Sequence, residues 1–193
     1  MTFLSRVSLC FLSIALAAGC VSTKRGYSDV NEKLVVGNRW SDTDNQEVAK
    51  EIVKKALFSS WLGRVKNGPP KVGVGKIRNL TSEEIDTTAL VNFMQDELIN
   101  SGKVAFVAND ESTRAAVDSE VARQESYTKS SERAEVGQQT GIQYLFQGDI
   151  NSKTEQDDDV KFVNYQVNFK LINLQSTQIE WSGQHRLRKK FER

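Results

Sequence analysis

The sequence predicts an α/β fold of the mixed α+β kind: a mixed β-sheet with a βαβ unit followed by a C-terminal antiparallel meander, helices lying mainly on one face. Three observations predict it. Two long segments carry apolar residues at helical spacing, strand-like runs stand on either side of the second of them, and the last third of the chain alternates apolar and polar residues over three successive runs.

In chain order the first element is a targeting segment. One basic residue, Arg6, precedes about twelve mostly apolar residues that run out at Ala17, Ala18 and Gly19, the layout of a secretory signal. Such a run is too short to cross a bilayer, which takes roughly 20 residues. Cys20 follows at once, and "LAAGC" resembles the bacterial lipobox, with Ala17 where that pattern prefers Leu. The resemblance implies removal of residues 1–19, a diacylglyceryl thioether on Cys20 and an acyl group, such as palmitate, on its amine. At about 0.8 kcal/mol per buried CH₂, two or more chains anchor stably where one does not. Val21 stands where an Asp retains enterobacterial lipoproteins in the inner membrane, so the same resemblance implies the periplasmic side of the outer membrane.

Residues 20–39 read as a short tether, polar and without sustained period. Leu34–Gly37, "LVVG", is expected to dock as an edge strand. About twenty residues separate Cys20 from Trp40 and none is proline. Fully stretched they span at most roughly 70 Å, and as a flexible coil about 25 Å. The globular domain is expected over residues 40–193.

"SDTDNQEVAKEIVKKALFSSWL" opens the domain with capping candidates Ser41, Asp42 and Asp44, and Glu47 stands three residues after Asp44. Val48, Ala49, Ile52, Val53, Ala56, Leu57 and Trp61 recur at helical spacing, with Lys50, Glu51, Lys54 and Lys55 opposite. Pro69 and Pro70 then end one element and "KVGVGKI" begins a strand on Val72, Val74 and Ile77. "TSEEIDTTALVNFMQDELINSGK" is the second helix, striped by Leu90, Val91, Met94 and Leu98 and stopped at Gly102. "VAFV", Val104–Val107, reads as a short buried strand that completes a right-handed βαβ unit. Residues 110–139 are expected to form two helices broken around "SYTKSS", with Val117, Val121, Ala134 and Val136 as apolar points.

The C-terminal third has the clearest pattern. "YLFQGDI" alternates; Val163, Tyr165, Val167, Phe169 and Leu171 share one side of the next run; Ile179, Trp181 and Leu187 share one side of the last. The other sides read Gln147 and Asp149; Gln166, Asn168 and Lys170; Glu180, Ser182, Gln184, Arg186 and Arg188. An antiparallel meander covered by helices on one side is expected to look like this.

Composition excludes several function classes. Without residues 1–19 the chain loses only Arg6 from its 26 basic residues and keeps its 25 acidic ones, so its formal net charge is zero, which speaks against nucleic acid as a bulk electrostatic partner. Cys10 lies in the signal and Cys20 is the lipidation candidate, so the domain has no thiol for a disulfide, a Cys-based zinc site or a nucleophile. The single histidine, His185, allows no His-His metal motif, and no G-x-S-x-G surrounds any serine. No metal, no cofactor and no enzymatic activity is expected.

The remaining motifs favour plain readings. "GVGK" lacks the first glycine and the Ser/Thr of a phosphate loop, Pro70 and Ile77 standing in those places, so its glycines mark a close backbone approach in a strand. Asp157–Asp159 lack the alternation and glycine of a calcium loop and read as a solvated hairpin tip. His185 falls on the parity of Trp181 and Leu187, at the edge of the core face. "HRLRKKFER" gathers Arg186, Arg188, Lys189, Lys190 and Arg193 around Phe191 beside the polar sheet face that also carries Lys170. Arg186, Arg188, Lys189, Lys190, Phe191 and Lys170 are therefore the candidate partner-binding residues.

"FMQDELINSGKVAFV", "YLFQGDI" and "YQVNFKLINLQSTQIEWSG" together resemble the LpoB-type penicillin-binding-protein activator lipoproteins, in ordered blocks from roughly Asn38 to the C-terminus. The resemblance implies a domain similar to the N-terminal domain of TolB. It also implies an outer-membrane lipoprotein that reaches a bifunctional peptidoglycan synthase and stimulates its glycan polymerisation and crosslinking without doing chemistry itself. The tether departs from that pattern, since well-known members have a long proline-rich one. The alternative is a structural or assembly lipoprotein of the envelope whose domain packs with copies of itself or joins another complex.

Overall fold

The computed structural model describes residues 39–134, 141–157 and 159–192. The targeting segment, Cys20, the tether with Leu34–Gly37, Val136 and Asp158 lie outside them.

The first helix, α1 (Asp42–Leu57), starts at Ser41, whose N–H and hydroxyl both donate to the Asp44 carboxylate, at 2.7 and 2.8 Å. The box is thus Ser41–Asp44, three residues earlier than the Asp44–Glu47 spacing suggested. Val48, Ala49, Ile52, Val53, Ala56 and Leu57 are buried as expected, but the helix stops before Trp61. The Ala56 carbonyl accepts from the Ser59 hydroxyl and from the Trp61 indole N–H, each at 2.7 Å. The turn after α1 therefore folds Trp61 back into the core and leaves Phe58 76% exposed.

β1 (Lys71–Asn79), α2 (Thr87–Asn100) and β2 (Ala105–Phe106) form the βαβ unit, β1 and β2 pairing in parallel. The polar start of the second helical segment is a loop, and the helix begins later, where the Asp86 carboxylate accepts from the Thr88 and Ala89 N–H groups. Gly102 takes φ +64° just past the helix end, as a C-terminal stop requires. β2 is shorter and less buried than expected. It pairs only with β1, at the sheet edge, so Ala105 is exposed and Phe106 half-buried while Val104 before it is buried.

α3 (Glu111–Tyr127) replaces the first of the two helices expected over 110–139, and a 3₁₀ turn, Ser130–Glu132, stands where the second was expected. None of its residues is buried, and Val117 is 45% exposed. Two valines do not make an apolar stripe wide enough to seat a helix on a core.

β3 (Tyr144–Asp157), β4 (Val160–Asn173) and β5 (Ile179–Glu192) are the antiparallel meander, each 14 residues long. β3 also pairs in parallel with β1, giving the order β2-β1-β3-β4-β5. In β1 an extra residue between Val74 and Ile77 shifts the register, which is why Val72, Val74 and Ile77 all reach the core although their spacing breaks a period of two. A second shift, between Leu171 and Ile172, sets Ile179 opposite Ile172. Ile179 thereby leaves the parity of Trp181 and is 55% exposed, contrary to its expected place on the apolar side.

α1 and α2 pack on one side of the sheet, α1 toward β5 and β4, α2 toward β1 and β2. Their buried residues join Phe146, Ile150, Val167, Phe169 and Leu171 in one core. Burying each large side chain contributes about 1.5–3 kcal/mol relative to exposure.

Candidate functional site: the uncovered face of the sheet

Register sorts the meander into two faces. Val163, Tyr165, Val167, Phe169 and Leu171 of β4 stand opposite Lys189, Leu187, His185, Gly183 and Trp181 of β5, and point to the helices. The intervening residues form the other face: Gln147, Asp149, Asn151, Lys153 and Glu155 on β3, Asn164, Gln166, Asn168 and Lys170 on β4, and alternate residues from Ser182 to Lys190 on β5.

Among the described residues neither α1 nor α2 packs on this face, and its polar side chains hold one another across it. The Asp149 carboxylate accepts from Asn151 at 2.7 Å and Asn168 at 2.9 Å, and Arg78 of β1 lies 3.5 Å from it. Farther along, the Lys153 ammonium donates to Glu155 at 2.8 Å, Asn164 donates to the other Glu155 oxygen at 3.1 Å, and the Arg188 Nε donates to Asn164 at 2.6 Å. The hydrogen bond and charge of Lys153 hold the Glu155 carboxyl below its usual range, and Glu155 raises Lys153 in turn. The Arg188 guanidinium lies over the Phe162 ring, 5.8 Å from its centroid. A depression of about 540 Å³ runs here between residues of β3, β4 and β5.

The six candidate partner-binding residues divide between the faces. Arg186, Arg188 and Lys190 stand on the uncovered face, opposite Gln166, Asn164 and Phe162. Lys170 shares that face but pairs with Ser182, four residues from Arg186 and so about 13 Å along the strand. Lys189 and Phe191 turn to the covered side, where Phe191 is half-buried and Lys189 is 7% exposed. Alternation along β5 leaves no other arrangement. Phe162, Asn164, Lys153 and Glu155 were missed as site residues, although carrying the period of two backward from Gln166 reaches Asn164 and Phe162.

Lys189 holds the residues just before α1. Its ammonium donates to the Arg39 carbonyl and to the Asp44 carboxylate, each at 2.5 Å. Beside it the Glu83 carboxylate accepts from the Trp40 N–H at 3.1 Å and from the Tyr165 hydroxyl at 2.7 Å, and the Trp40 and Tyr165 rings meet edge to face with centroids 5.3 Å apart. Burial, then Glu83, raises the Tyr165 phenol well above its ordinary value. His185 packs on the core face as expected, its Nε2 3.7 Å from a Glu47 oxygen.

The strand glycines fit the plain reading of "GVGK": a Cβ on Gly73 would come within 2.6 Å of the Ile142 side chain and 3.4 Å of the Val107 carbonyl, and one on Gly75 within 3.3 Å of the Phe146 carbonyl. Among the described residues no group of three His, Cys, Asp or Glu side chains is placed to hold a metal ion, and no helix is long and apolar enough to cross a membrane.

Residues 44–187 match the family model described as peptidoglycan-synthase activator LpoB. No curated protein matches. Among solved structures the chain is similar to the LpoB C-terminal domain from Escherichia coli, with 15% identity over 75% of this chain and 98% of that one and a TM-score of 0.47. It is similar to the LpoB C-terminal domain from Salmonella enterica with 17% identity, the same coverages and a TM-score of 0.43. The lipoprotein GNA1162 from Neisseria meningitidis matches with 15% identity over 63% of this chain and 84% of that one, at a TM-score of 0.39.

Proposed function

Because the chain belongs to the LpoB family of peptidoglycan-synthase activators, we propose that it is an outer-membrane lipoprotein, anchored through Cys20, that binds and activates a bifunctional penicillin-binding protein. The observation that carries this reading is the reach of the family match, from the first turn of α1 to Leu187 in β5, which takes in both packed helices and nearly the whole sheet. In this reading residues 1–19 are the signal, residues 20–39 the tether and residues 40–193 the effector domain.

Activation needs no reacting group on the effector. A domain that binds the active conformation of the synthase more tightly than the inactive one shifts the population toward activity, by no more than the difference in the two affinities. The uncovered face, with Arg186, Arg188, Lys190 and Lys170, is the surface we assign to that contact. The tether limits where it happens: at most roughly 70 Å from the membrane to Trp40.

A direct test immobilises the chain through residue 20 and titrates purified bifunctional synthases of the same cell over it. Saturable binding to one of them is expected. Failure of all of them to bind contradicts the proposal.

A further inference from the structure

Two cations of the uncovered face are answered by acids of the same face. Lys153 is bonded to Glu155 at 2.8 Å, and Arg78 is 3.5 Å from Asp149. Lys170, Arg186 and Arg188 form no ion pair among the described residues; of the three, Arg186 and Arg188 are neighbours, both exposed and two residues apart on β5, while Lys170 stands opposite Ser182. Side chains at i and i+2 of a strand leave the same face about 7 Å apart.

Arg188 is also held in one orientation. Its Nε is engaged by Asn164 at 2.6 Å, Asn164 is fixed from behind by Glu155, itself tied to Lys153, and the guanidinium lies over the Phe162 ring. With Nε taken, the edge left to a ligand is the pair of terminal nitrogens, a fork that fits both oxygens of one carboxylate. A restrained guanidinium loses less freedom on binding than a mobile one.

We propose that Arg186 and Arg188 form a two-point receptor for an extended acidic segment whose carboxylates stand two residues apart, Glu-x-Glu in form. An extended segment repeats its side chains on one face at the same spacing of about 7 Å, so both carboxylates meet an arginine at once, whereas adjacent acids point to opposite faces and only one does. Asn164 is a positioning residue for Arg188. The inference rests on the proposed function only for the source of that segment, a bifunctional synthase.

The test uses the full chain in a zwitterionic detergent and two labelled peptides of one composition, Ser-Thr-Glu-Thr-Glu-Thr-Ser and Ser-Thr-Thr-Glu-Glu-Thr-Ser, read by fluorescence anisotropy. The alternating peptide is expected to bind at least tenfold more tightly. Arg186→Gln and Arg188→Gln, with unchanged circular dichroism, each remove that preference, and Arg188→Lys, which keeps the charge but not the fork, falls between. Equal affinity for the two peptides, wild-type discrimination by Arg188→Gln, or tighter binding of a helical peptide with acids at i and i+4 overturns the receptor. A doubly substituted chain, Arg186→Gln with Arg188→Gln, that still stimulates the synthase fully overturns the synthase as source of the segment while the activator reading stands. Peptide discrimination by a chain that stimulates no synthase supports the receptor and contradicts the activator reading.

Discussion

Lys189 and Arg188 are chain neighbours with opposite environments. Lys189 is buried against Asp44, the two side chains 7% and 13% exposed, whereas Arg188 stands in solvent. Removing one partner of a buried pair strands the other charge, so Lys189→Met is expected to cost about 3–5 kcal/mol in urea unfolding, and Arg188→Gln to stay within about 0.5 kcal/mol. Tyr165, 1% exposed, gives a pH dependence. Its folded pKa is raised from the ordinary 10.0, first by burial and then by Glu83. The unfolded chain releases that proton near pH 10 while the folded chain keeps it, so the stability it lends is complete below about pH 10 and is lost as pH rises through the folded value. Tyr165→Phe is expected to flatten this part of the alkaline decline, compared with the parent chain by denaturant midpoints from pH 8 to 11. The sequence presents Lys189 as one cation in a basic run. The period of two, continued from Trp181 and Leu187, places it on the core face, but nothing in the local pattern names a partner 145 positions away.

Helix patterns were legible in proportion to the apolar surface they carry. Leu90, Met94 and Leu98 of α2 recur at helical spacing and are fully buried, while Val117 and Val121 of α3 share a face and neither is buried. Leu98→Ala is expected to destabilise by about 2–5 kcal/mol, and Val117→Ala by no more than about 0.5 kcal/mol, both read from chemical denaturation. Strand parity was legible except across the two register shifts, which bring Ile77 into the core and turn Ile179 out of it. A one-residue shift reverses every side chain beyond it, and its position depends on the neighbouring strand, which the local sequence does not contain. The uncovered face was legible as alternating polar residues; the Lys153, Glu155, Asn164, Arg188 chain was not, because it joins three strands whose register only the assembled sheet defines.

At the scale of the molecule, the residues just before α1, Arg39 and Trp40, meet the start of β4 and the end of β5 through Tyr165 and Lys189, beside the end of the sheet that carries Arg188 and Lys190. In the proposed function residues 20–39 are the tether, and the synthase has to come within the roughly 70 Å that they span fully stretched. The measurement closest to the central claim is the rate at which a purified bifunctional synthase polymerises lipid-linked disaccharide precursor, with and without the chain. A saturable rise in rate, reduced by Arg186→Gln with Arg188→Gln, is expected. An unchanged rate at concentrations where the chain saturates the synthase would contradict it.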